Sequence, residues 1–103
     1  MKPNRKRYIY FKLHQEGLRI TERQLSNAIW KSMLSLFGET IVADARFFLN
    51  EYDDRSGTGY LQCNANLLQQ LISSAVLIES IEKTKVSFEP KKTSGTIKAL
   101  LKN

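Results

Sequence analysis

Within its 103 residues the chain holds one cysteine, one histidine, two prolines and no apolar run long enough to cross a bilayer. Each scarcity closes off a class of protein. A lone Cys63 forbids an internal disulfide, and Cys63 with a single His14 cannot supply a zinc quartet. A membrane-spanning helix needs about 20 apolar residues in succession. The opening Met1-Lys2-Pro3-Asn4-Arg5-Lys6-Arg7 leads into an alternating segment, not into the apolar stretch of a secretory signal. These absences describe a reduced, cytoplasmic protein with no membrane attachment and no bound metal. The parts of a hydrolytic site are also missing. No glycine-rich phosphate loop occurs. His14 reads as a polar residue near a strand end. Asp53 and Asp54, beside Ser56 and Gly57, read as turn residues before they read as metal ligands. Cys63 has inward parity and no histidine close by, so it reads as a small core residue.

What the chain has is positive charge at both ends. Residues 1–12 carry Lys2, Arg5, Lys6, Arg7 and Lys12 with no acid, and residues 83–103 carry six lysines against Glu89. The stretch between them is acidic, with nine carboxylates to five cations, and the whole chain is +6. A field directed in this way suits a phosphate backbone.

Hydrophobic spacing gives the elements. Ile9, Phe11 and Leu13 alternate with Tyr8, Tyr10 and Lys12, a half-buried strand. Thr21 and Gln24 form a capping box, so a helix begins at Glu22; Leu25, Ile29, Met33 and Leu36 form its inner stripe, and Gly38 ends it as a left-handed cap. Trp30, Leu34 and Phe37 fall on a shoulder too wide for one sheet to cover, which points to the second helix or to another chain. Residues 40–52 alternate again, with Ile41, Ala43, Ala45, Phe47 and Leu49 inward and Arg46 and Phe48 outward. A turn over 53–59 leads to a short strand from Tyr60 to Cys63. Asn64 or Asn66 caps a second helix on Leu67, Leu71, Ala75 and Ile78. A last strand, Lys83–Glu89, is stopped by Pro90, and a short terminal helix follows Ser94-Gly95-Thr96.

This order makes an α+β fold: a four-stranded antiparallel sheet in the split βαβ (ferredoxin-like) arrangement, both helices on one face. Residues 1–6 read as a basic arm, 7–90 as a single domain and 91–103 as a basic carboxy-terminal segment. First and last strands are then neighbours, so Arg5, Lys6 and Arg7 should meet Lys91 and Lys92 at one end of the sheet. The open face should carry Tyr10, Lys12, Phe48 and Tyr60, and Ile9-Tyr10-Phe11 with Gly59-Tyr60 partly resembles the RNA recognition motif. A stand-alone single-stranded RNA binder is therefore one reading of the chain; coverage of these rings by protein is another. A small enzyme using the acidic turn is a third.

Further segments carry a longer resemblance: Arg7-Tyr8-Ile9; Leu36-Phe37-Gly38-Glu39; Tyr52-Asp53 through Gly57, Gly59, Leu61 and Cys63; Ser74-Ala75; and Ser94-Gly95-Thr96-Ile97-Lys98. In this order they resemble the ribonuclease P protein component 2 family of archaea and eukaryotes. That family commonly has arginine before the cysteine, and often after it, where this chain has Gln62 and Asn64. The resemblance implies a noncatalytic subunit of the ribonucleoprotein that removes the 5′ leader of precursor tRNA. Its partners would be the catalytic RNA and a larger barrel-shaped protein subunit, with a homodimer inside a heterotetramer. It implies no cofactor on this chain, with Mg2+ serving the RNA. Arg5, Lys6, Arg7, Lys12, Lys91, Lys92, Lys98, Tyr10 and Tyr60 would be the RNA-contacting residues. Trp30, Leu34, Phe37 and Phe48 would be the protein-contacting ones.

Overall fold

The computed structural model describes residues 5–96. Strand β1 (Lys6–Glu16) alternates as its sequence requires, with Ile9, Phe11 and Leu13 buried and Tyr8, Tyr10 and Lys12 partly exposed. Helix α1 (Glu22–Phe37) starts where Thr21 caps it. Thr21 Oγ1 accepts from the Gln24 N–H at 3.2 Å, and Gln24 Oε1 accepts from the Thr21 N–H at 2.9 Å. The reciprocal pair satisfies two donors that the helix start leaves open. Leu25, Ile29 and Met33 are fully buried, each contributing about 1.5–3 kcal/mol of transfer free energy. Leu36 has the same spacing but falls in the last turn and is 47% exposed.

The segment that alternates over 40–52 divides in two. Glu39–Ala45 form a short helix, α2, and only Phe48–Asp53 form strand β2. Val42 and Ala45, three residues apart, are the buried positions of α2, so the helical period governs a stretch short enough to fit both periods. Arg46 therefore lies off the sheet, ending α2 with a positive φ of 46°. Gly38 joins α1 to α2 at φ 88°, ψ 171°. This is the mirror-extended region, essentially reserved for glycine, and not a left-handed helical cap.

Strand β3 (Thr58–Asn64) leads through a 3-10 turn (Ala65–Leu67) into α3 (Leu68–Val76), which buries Leu71, Ser74 and Ala75. Asn64 does not cap this helix. Its Nδ2 donates to the Asp44 carbonyl and ties the end of β3 to α2. Ile78 lies past the end of α3 and still packs on the core. Ser32 Oγ of α1 donates to the Ser74 carbonyl of α3 at 2.7 Å and ties the two helices together.

Five antiparallel strands, not four, make the sheet, in the order β2-β3-β1-β5-β4. The extra one is the two-residue β4 (Ser80–Ile81), joined to β5 (Thr84–Ser94) by Glu82 and Lys83 at φ 50° and 69°; positive φ at both positions is the mark of a two-residue type I′ hairpin. Strand β5 does not stop at Pro90. Phe11 pairs with Pro90 and Tyr10 with Lys92, so Lys91 is the extra residue of a bulge. A bulge tolerates proline because it suspends the ladder locally. Helix α1 touches both edge strands, β2 and β4. Edges of a flat five-stranded sheet stand about 19 Å apart, so the sheet curls around α1. The expected terminal helix, and Lys98 with it, lies outside the described residues.

The turn between β2 and β3 is built onto β1. Asp53 Oδ1 accepts from the Arg55 N–H at 2.9 Å and the Asp53 carbonyl from the Gly57 N–H at 2.8 Å. The Gly57 carbonyl accepts from the Leu13 N–H at 2.6 Å. Gly57 has φ 77°, and a Cβ there would strike the Leu13 carbonyl oxygen, whereas a Cβ on Gly38 would meet open space. Gly57→Ala should therefore lose about 2 kcal/mol or more in urea unfolding, through strain and collision together, and Gly38→Ala should lose less. Equal losses at the two sites would contradict this account.

Candidate nucleic-acid interface

Pairing register decides what the outer face of the sheet displays. Across β2, β3, β1 and β5, one row reads Phe48, Gln62, Tyr8 and Ser94, and the next reads Asn50, Tyr60, Tyr10 and Lys92. Beyond them Thr58, Lys12 and Glu89 align, then His14 with Ser87 and Glu16 with Lys85. The bulge sets the parity. Strict alternation from Glu89 would turn Lys92 inward, whereas the inserted Lys91 brings Lys92 outward opposite Tyr10. Lys91 also reaches this face, where its Nζ contacts Glu89.

Basic groups thus follow the β1–β5 seam instead of gathering at one end of the sheet. Arg7 shares the inward parity of Ile9, and its guanidinium lies against Gly95, where a Cβ would come within 2.9 Å of Nη1. Lys6 takes outward parity opposite Asn64, and the exposed Arg5 accepts from the Ala65 N–H through its carbonyl at 2.8 Å. Lys91 and Lys92 sit farther along, beside Phe11 and Tyr10. Three or four residues of strand separate the two groups, roughly 10–14 Å. With Lys12 and Lys85 the series runs nearly the full length of β1.

Two aromatic groups separate in role. Tyr10 and Tyr60 face each other with centroids 5.3 Å apart and tilted by 41°. Tyr60 is 9% exposed, so its ring supports Tyr10 and offers no stacking surface of its own. Phe48, 60% exposed, is the most open ring of the face. It lies apart from the other three apolar candidates. Trp30 and Phe37, 45% and 38% exposed, flank the partly buried Leu34 on α1. Trp30 points about 160° away from Ser32, the residue bonded to α3. It therefore does not close the groove between the helices.

The remaining chemistry is quiet. Burial pushes the Cys63 thiol up to about 11, keeping it protonated. Tyr52 is pushed up to about 12 by burial and then by Asp54 and Asp53, and its hydroxyl donates to the Ile20 carbonyl at 2.8 Å. Among the described residues no group of three His, Cys, Asp or Glu side chains could hold a metal ion, and no helix is long and apolar enough to cross a membrane.

One cluster has no local signature in the sequence. His14 Nε2 stands 2.7 Å from Glu89 Oε1, and Lys91 Nζ stands 3.1 Å from Glu89 Oε2. The hydrogen bonds from His14 and then Lys91 hold the Glu89 carboxyl below its usual range. Only the β1–β5 register, which sets His14 next to Ser87 and Lys12 opposite Glu89, could have revealed it. A folded value below the unfolded one gives stability that is complete above the ordinary carboxylate range and lost as pH falls through the folded value. Wild type should therefore melt above Glu89→Gln near neutral pH, by a small margin because the pair is exposed, and the two should converge in acid. A gap that widens on acidification would contradict this assignment.

The chain is similar to known proteins along most of its length. A family model described as the Rpp14/Pop5 family matches residues 7–103. Ribonuclease P protein component 2 of Pyrococcus furiosus is 33% identical over 97 residues, covering 94% of this chain and 80% of that protein. Ribonuclease P protein component 2 of Archaeoglobus fulgidus is 35% identical over 95 residues, covering 92% of this chain and 84% of that one. The fold matches a chain in the cryo-EM structure of yeast Ribonuclease MRP with a TM-score of 0.74 at 9% identity, over 94% of this chain and 79% of that chain. Agreement of a family model, of relatives above 30% identity and of the fold places this curled sheet with its basic seam in one lineage: the chain belongs to the Rpp14/Pop5 family.

Proposed function

We propose that this chain is a protein subunit of ribonuclease P, the ribonucleoprotein that removes the 5′ leader of precursor tRNA in the cytoplasm. Family membership supplies the class, and the observation that carries the mechanism is the β1–β5 register. Two segments some 80 residues apart in sequence, each basic, are joined there into one seam. A folded RNA packs negative charge densely. A rigid row of cations neutralises it at fixed spacing and lowers the magnesium the RNA needs to hold its active shape. The protein supplies no acid-base or metal constellation for cleavage in this reading. The chemistry belongs to the RNA and its Mg2+.

In the same proposal the split βαβ core, β1, α1, β2, β3, α3 and β5, is the ferredoxin-like scaffold, and α2 and β4 are additions to its edges. The flank of α1 that carries Trp30, Leu34 and Phe37 meets a larger, barrel-shaped protein subunit, and a second copy of the chain completes a heterotetramer. Exposed tryptophan beside phenylalanine supports a protein contact, since such rings commonly anchor interfaces.

The class is tested by purifying the tagged chain from its source cell. A co-purifying structured RNA with precursor-tRNA cleavage activity is expected, and its absence would refute the proposal. The pure chain should leave precursor tRNA uncut. Lys6→Ala with Arg7→Ala, and Lys91→Ala with Lys92→Ala, should each weaken RNA binding and flatten its salt dependence by up to about one unit per lost phosphate contact. An unchanged slope in both double variants would remove the seam from RNA binding. Trp30→Ala should fold with little loss of stability while its association with the larger subunit weakens by about 2 kcal/mol. Wild-type association would assign Trp30 no role at that interface.

A further inference from the structure

We infer that Glu89 occupies, within the basic seam, the anion position that an RNA phosphate takes when the chain binds, so that the carboxylate acts as a built-in competitor of the RNA. The inference rests on the proposed RNA-binding role and adds the site and its regulation to it.

Four observations converge on this residue. First, Glu89 stands among lysines. On the outer face Lys12, Lys91, Lys92 and Lys85 follow the seam with His14 beside them, and the other carboxylate in that row is Glu16, at its far end opposite Lys85. Second, the carboxylate is held by both oxygens. His14 Nε2 addresses Oε1 at 2.7 Å and Lys91 Nζ addresses Oε2 at 3.1 Å, while Lys12 pairs across the strands with Glu89 itself. Donors that converge on two oxygens of one anion fit the two free oxygens of a phosphodiester equally well. Third, the cluster is open. The side chains of His14, Glu89 and Lys91 are 49%, 46% and 41% exposed, so a ligand can reach every member, and exposed pairs of this kind contribute little to stability. Fourth, His14 of the cluster also lines an open hollow of about 340 Å³ together with Gln15, Glu16, Lys85, Val86 and Ser87, which leaves room beside it for an arriving backbone.

The device serves two ends. While RNA is absent, Glu89 lowers the mutual repulsion of the cations around it and keeps Lys91 and His14 oriented toward the anion position. When RNA arrives, the phosphate must displace the carboxylate, which sets a threshold that a weakly held strand does not pass. Charge alone does not make this arrangement. Glu82 is also an exposed carboxylate near β5, yet it lines the groove beside α1 with Arg23 and Lys31, away from the outer face.

The test measures binding of a labelled single-stranded oligouridylate to the full chain across a series of potassium chloride concentrations. Glu89→Gln should bind about two- to fivefold tighter than wild type, the size of one exposed ion pair, with a salt dependence steeper by about 0.7 for one added phosphate contact to a single strand. Glu82→Gln, which adds the same charge elsewhere, should leave both values near wild type. Adding Lys91→Ala to Glu89→Gln should abolish the gain. Wild-type binding by Glu89→Gln overturns the inference and leaves the RNA-binding role intact. An equal gain from Glu82→Gln overturns it too, since net charge would then be the whole effect. If neither the wild-type chain nor any variant binds the oligouridylate, the inference falls together with the seam's role in RNA binding.

Discussion

Strand β1 pairs on both sides, with β3 and with β5, and this double pairing is the constraint from which the other features follow. It places Ile9, Phe11 and Leu13 in the middle of the core, where Phe11 stacks on Phe88 at 4.7 Å and on Tyr52 at 6.2 Å. It also gives the β2–β3 turn its footing, because the Gly57 carbonyl accepts from the Leu13 N–H. Helix α1 then has to fill the hollow of a curled sheet, which explains why its buried stripe is narrow and its outer flank retains a tryptophan and a phenylalanine.

The electrostatics depend on the same pairing. Taken along the chain, the positive charge is two separate segments around an acidic middle. Folding converts this distribution into a line, since antiparallel neighbours bring residues 8–16 against residues 85–94. One inserted residue, Lys91, adjusts the line so that consecutive lysines both reach the outer face. Charges spaced along a rigid strand pair keep their separation when a polyanion approaches, which loose tails of the same composition cannot do.

Much of this was legible in the sequence, and the misses have physical causes. The capping box at Thr21 and the alternation of β1 were unambiguous because each is a local signal with one structural solution. The adjacency of first and last strands followed from element order, since helices packed on one face leave few ways to close a sheet. Helix α2 is not legible in the sequence because residues 39–45 are short enough for alternation and helical spacing to coincide at Ala45, and only packing of Val42 decides between them. In the sequence Pro90 marks a stop, because proline cannot donate to a ladder, yet a bulge removes that requirement locally. The site was legible as composition and not as arrangement: the basic residues were identified, but their placement along a seam, the burial of Tyr60 and the Glu89 cluster depend on register, which no local pattern encodes.

Of the strands of this sheet, the central one is made first and is among the last to be completed. Residues 6–16 precede every other strand, whereas their partner on one side lies at 84–94. Contacts of such sequence separation raise the relative contact order, and chains dominated by them fold slowly because the loop entropy is lost before the pairing compensates it. Until residue 94 has left the ribosome, one edge of β1 presents unpaired backbone groups beside its exposed core face, a state prone to pairing with other chains. The lysines and arginines that begin and end this chain carry a second benefit at that stage. Like charges on neighbouring nascent chains repel, and the edge that will become the basic seam is kept from meeting its own kind.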